Sequence, residues 1–244
     1  MTFRNIVFSA LVAGIIAGSL YGLFQQLKIN PIIYAAEVYE VSEYQNQDRD
    51  DAHSSDYASW APADRRQRIL STLGANILIG IGLSLLLICA MSLHNLKSSK
   101  PKVNGKTGII WGIGLMAAMF VAPSLLGLQP EIPGALAQPL EHRQIGWIAA
   151  TTATAAGLLI VYYGGRLVKL LGIIMIALPH FIALPFIPIS TPIHGYANSD
   201  PSAVAALNEL SHQFVIMSSI GMLIFCILLG SLSGFISTRF VRFD

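Results

Sequence analysis

The chain has 244 residues, of which 54% are hydrophobic and 11% charged, with a mean hydropathy of +0.61 and a formal net charge of +2. A soluble domain carries roughly 25% charged residues, so water is not the main solvent of this chain. The small net charge, with basic residues spread over short loops, argues against a nucleic-acid partner.

The elements follow in chain order. Residues 5–27 are free of charge behind Arg4 and long enough to cross a bilayer. The run is too long for a signal peptide and has no A-x-A cleavage pattern, so it reads as a retained first span. Residues 28–68 form an outer-side loop. It opens at Pro31 and carries Glu37, Glu40 and Glu43 at helical spacing, which predicts a short interfacial helix. Residues 45–59 are polar and loop-like, and Trp60 and Pro62 mark the return. Charge-free stretches at 69–93, 107–129, 144–165 and 214–237 predict four further spans, and 170–189 predicts another, interrupted by Pro179, Pro185 and Pro188, with a kink. The expected fold class is therefore all-α: a polytopic transmembrane helix bundle of six spans, organised as a single transmembrane domain over 1–244.

Loop charge sets the expected direction. Lys97, Lys100, Lys102 and Lys106 fall between the second and third spans without an acidic neighbour, which places that loop in the cytoplasm. Alternation then puts Arg4, Arg166, Lys169, Arg239 and Arg242 inside, and both termini are cytoplasmic. A five-span arrangement would export the Arg239/Arg242 tail.

Within the spans, Gly14, Gly18 and Gly22 recur every four residues, and Gly230 and Gly234 repeat that spacing. Small residues at this interval let backbones approach closely, as helix packing within the bundle, a homo-oligomer seam or a contact with a small subunit. The odd-numbered spans also share proline-rich exits, at Pro31, Pro123 to Pro133 and Pro179 to Pro188, a faint sign of internal repetition. Cys89 and Cys226 lie in apolar runs and read as small core residues rather than as a disulfide or zinc knuckle.

The usual signatures of metalloprotease, serine hydrolase, nucleotide-driven pump and dinucleotide enzyme are absent, and no nucleophile and base occur together at intramembrane depth. His180 is the ionisable side chain nearest the middle of a span, about 15 Å along its helix from residue 170. An ionisable group at that depth is a functional-site hypothesis by default. On the outer side stand Glu37, Glu40, Glu141, His142 and His194, whose imidazole and carboxylate groups suit divalent first-row metals. Gln25, Gln26 and Asn76 offer neutral oxygens, or interhelical hydrogen bonds. The readings are thus a membrane permease with a divalent metal ion as substrate and no resident cofactor, or a non-transporting scaffold that assembles a partner through its glycine faces.

Gln25-Gln26 ending a glycine-rich span, Pro31, Ala36-Glu37-x-x-Glu40, Pro130-x-x-Pro133-Gly134, Arg143-Gln144-x-x-Trp147 and Pro179-His180-x-x-x-x-Pro185 occur in this order along nearly the whole chain. Together they resemble the CbtA family of probable cobalt transporter subunits. The resemblance implies a bacterial inner-membrane protein that takes up cobalt for cobalamin synthesis with a small single-span subunit, CbtB, bearing a histidine-rich metal-binding end. Family members are usually described with five spans, against six here. After Pro185 the chain reads Phe186-Ile-Pro-Ile-Ser-Thr-Pro-Ile-His194, which departs from the family pattern.

Overall fold

A computed structural model describes residues 2–47, 65–97, 102–136, 139–186 and 195–240. Among these the fold is all-α. The helices are α1 (Thr2–Phe24), α2 (Asn30–Gln47), α3 (Arg65–Lys97), α4 (Gly105–Met116), α5 (Ala122–Leu125), α6 (Leu140–Tyr163), α7 (Arg166–Phe186) and α8 (Pro201–Phe240). By length and apolar content over the described residues, five helical stretches can cross a membrane: Phe3–Tyr39, Arg65–Leu96, Gly105–Leu125, Leu140–Tyr163 and Pro201–Phe240. Helix α7 adds 21 residues, which at 1.5 Å each reach about 31 Å, close to the thickness of the hydrocarbon core. The chain is a multi-pass bundle with a span count near six.

Several boundaries differ from those expected. The first helix does not stop at residue 27. A π-helical turn, Gln25–Ile29, joins α1 to α2 without a break, so the segment expected as a separate interfacial helix continues the first helix, which runs on to Gln47. A second π turn, Ala117–Val121, joins α4 to α5. Both have the same cause. Pro31 and Pro123 each lack an N–H and crowd the carbonyl four residues back, at Leu27 and Met119, and each of those residues lies inside a wide turn that relieves the clash. Pro179 produces no such turn, because α7 stays α-helical throughout. The shared proline exits therefore correspond to shared geometry in the first and third spans, and not in α7.

Two helices overrun their apolar cores. Helix α3 begins at Arg65 and ends at Lys97, and it carries His94 into a buried position, 2% exposed, edge-on to Trp111. Helix α8 starts at Pro201 rather than near 214, because Asp200 and Asn198 organise its first turn: the Ser202 amide and hydroxyl both donate to the Asp200 carboxylate, and the Val204 amide donates to its carbonyl. With 40 residues it is about 60 Å long, twice the hydrocarbon thickness.

The chain forms two compact units, Met1–Lys28 with Ser55–Ile113 and Ile220–Asp244, and Ile29–Ser54 with Gly114–Ser219. In the first, α1 and α3 touch backbone to backbone. A Cβ on Gly18 would stand 2.5 Å from the Asn76 carbonyl oxygen and 2.7 Å from Ile77 Cα, and Gly14 faces Gly80 and Ile81 equally closely. The start of α4 packs on the end of α8 in the same way: Gly108 and Gly112 face Gly230, and Gly234 abuts the Asn104 carbonyl. A buried hydrogen bond of 2.9 Å between Ser84 and Ser233 ties α3 to α8.

In the second unit, α6 and α7 form a hairpin across Gly164-Gly165, with Gly157 and Gly172 in mutual contact. Ala150, two turns earlier on the same buried stripe of α6, packs with Ala122 and Leu126. The segments after α5 and before α8 join through a bridge between Ala135 and Tyr196, supported by Leu136 N–H to Gly195 O at 2.9 Å and Ala197 N–H to Gly134 O at 3.0 Å. Gly134, at φ +79°, makes the turn that this pairing requires.

Candidate functional site

Helix α7 is the amphipathic member of the bundle in a lipid sense. Leu171, Ile174, Leu178 and Phe181 are exposed, whereas Gly172 is buried against α6. His180 lies on the less exposed side and is half-buried. It thus sits neither on the lipid face, where an imidazole would be expensive, nor in a sealed core.

The outer-side candidates fall on two other helices of the same unit. Glu37 is half-buried on α2, next to Ala36, which is wholly buried. Glu40 lies three residues further along α2. The carbonyl of Tyr39 between them accepts a 3.1 Å hydrogen bond from Asn198 Nδ2, which ties α2 to the entry of α8. Glu141 is exposed in the first turn of α6, where a carboxylate meets the positive end of the helix dipole. His142 beside it is half-buried, and its amide closes the first turn on Pro139 O at 3.1 Å. Arg143 is held by an ion pair with Glu131 at 3.1 Å. His194 lies outside the described residues. Among the described residues no three His, Cys, Asp or Glu side chains come together as a metal-binding group.

The neutral groups divide differently. Asn76 Nδ2 donates to Gln25 Oε1, and Gln25 is also hydrogen-bonded to Tyr21, so two of the three neutral candidates form an interhelical clasp between α1 and α3. Gly22 lies beside this pair, where a Cβ would stand 2.9 Å from Leu73 Cδ1.

Two threonines on α6 were not singled out by the sequence. Thr151 Oγ1 and Thr154 Oγ1 are buried and have no hydrogen-bond partner, whereas Thr152 between them bonds back to Ile148 O at 2.6 Å. The signal available in the sequence was Thr-Thr-Ala-Thr at the middle of a span; it does not reveal which hydroxyls bond to their own helix.

A family model described as "Probable cobalt transporter subunit (CbtA)" matches residues 3–238. No curated protein and no solved structure matches the chain.

Proposed function

The chain belongs to the CbtA family of probable cobalt transporter subunits, and on that premise we propose that it is the permease half of an uptake system for a divalent metal ion, cobalt first. The family is one of transport proteins and not of enzymes. In this reading Glu37, Glu40, Glu141, His142 and His194 collect the ion on the outer side of a bacterial inner membrane, and His180 passes it through the bundle. The lysine-rich segment around Lys97 to Lys106 faces the cytoplasm, as do both ends of the chain. A small single-span subunit with a histidine-rich end delivers or receives the metal, and the imported ion serves cobalamin synthesis.

The observation that carries the proposal is the half-buried imidazole of His180 on a membrane helix, in a chain matched by the family from residue 3 to 238. Imidazole is a good ligand for cobalt, nickel and zinc when neutral. A single neutral nitrogen binds more weakly than a closed cage, which suits an ion that must also leave. The scaffold reading required glycine faces free to receive a partner. Gly14, Gly18, Gly230 and Gly234 instead face other helices of the same chain at backbone distance.

The test is cobalt accumulation by cells expressing the protein. His180→Ala should abolish the accumulation above background while the protein remains at its normal level in the membrane. Uptake equal to that of the unaltered protein would remove His180 from the pathway.

A further inference from the structure

The contacts between α6 and α7 fix their register. A Cβ on Gly164 would meet Val168, one on Gly172 would meet Ile160 and Val161, and one on Gly157 would meet Gly172 and Ile176. Advancing along α7 therefore matches retreating along α6 by an equal number of residues, as in any antiparallel pair of equal rise. Four residues beyond Ile176 is His180. Four residues before Gly157 is Ala153, between Thr152 and Thr154, and Thr151 lies two residues earlier, within one turn of that level. Gly172, Ile176 and His180 also follow one another at four-residue spacing, so His180 continues the stripe that α7 turns toward α6.

On α6, Gly146, Ala150, Thr154 and Gly157 form the buried stripe, and Thr154 is 4% exposed. Its hydroxyl and that of Thr151 are buried without a hydrogen-bond partner. Thr152 shows that bonding back to the helix carbonyls is open to threonine here. Burying an unpaired hydroxyl is unfavourable, and a valine has the same outline without that cost. The polar atoms are thus retained at a depth where the fold gains nothing from them, level with the half-buried imidazole.

We propose that His180, Thr151 and Thr154 form one intramembrane station for a partly hydrated divalent first-row cation, with one imidazole nitrogen and two hydroxyl oxygens as ligands. The proposal rests on the metal-permease reading and deepens it, by supplying the oxygen half of the site. Nitrogen and neutral oxygen donors accept such ions, and without a carboxylate the station holds the ion loosely enough for release.

Purified full-length protein in lipid nanodiscs, titrated calorimetrically with Co²⁺ and then melted, provides the test. The double variant Thr151→Val/Thr154→Val should bind Co²⁺ about tenfold more weakly, with a melting temperature equal to or above that of the parent, because the orphaned hydroxyls are gone. Thr154→Ser, which restores a hydroxyl, should return most of the affinity when placed in the Thr151→Ser background. Undiminished affinity in the valine variant, alongside weakened binding in His180→Ala, would overturn the threonine station and leave His180 as a metal group. Failure of the serine pair to bind better than the valine pair would also overturn it. Absence of Co²⁺ binding by the unaltered protein would remove the permease reading and the station together.

Discussion

At the scale of single residues, the glycines separate by what an added methyl group would touch. Gly18 faces the backbone of Asn76 and Ile77, which cannot yield without moving α3, whereas Gly74 and Gly82 have nothing within 4 Å. Gly18→Ala should destabilise the protein by about 1–3 kcal/mol through forced separation of α1 and α3. Gly82→Ala should be neutral or slightly stabilising, by up to about 1 kcal/mol, since alanine is the better helix former. Thermal unfolding in one detergent distinguishes these, and equal shifts for both would contradict the close approach. The four-residue glycine repeat was legible in the sequence as close packing. Its partner was not, because one helix cannot specify which neighbour fills its groove. The pairing of Asn76 with Gln25 was hidden for the same reason: 51 positions separate them, and each alone is an ordinary polar residue in an apolar run.

At the scale of elements, apolar length located the helices well and their ends poorly. Lipid demands an apolar run, and so a span is visible as one. Beyond the lipid a helix continues as long as its backbone is satisfied, and polar residues do not end it. Helix α3 therefore reaches back to Arg65, and α8 begins at the Asp200-Pro201 cap. The π turns were legible only as the prolines that cause them. Asp200 makes the start of α8 sensitive to acid. The Ser202 hydroxyl, aided by the amides of Ser202 and Ala203, holds its carboxyl below the ordinary carboxylate range. A depressed folded value means that the carboxylate supports the turn at neutral pH, and that the support is lost as pH falls below the ordinary carboxylate range and through that value. Amide exchange at residues 202–204 should therefore accelerate in this acid range relative to the middle of α8. In Asp200→Asn that pH dependence should disappear. Exchange that ignores pH in the unaltered chain would contradict the cap.

At the scale of the whole molecule, composition alone implied a membrane bundle, and the helices agree with it. The candidate site was legible in part. His180 was visible as an imidazole at depth, and it stands half-buried on α7. The outer Glu and His residues were visible as metal-compatible types, but no three described residues of that kind gather into one ligand group. Ligand sets are assembled from distant helices, and spacing along one chain does not record that assembly. The threonines proposed to act with His180 could be found only from the register of α6 against α7. The central claim is that this chain conducts a divalent metal. Its most direct test is Co²⁺ entry into sealed liposomes containing the purified chain, with and without the proposed small histidine-rich subunit, under an inward metal gradient. The account predicts entry that depends on this chain, in at least one of the two preparations, and that falls to the empty-liposome level in His180→Ala. Entry at the empty-liposome level in both preparations of the unaltered chain would contradict it.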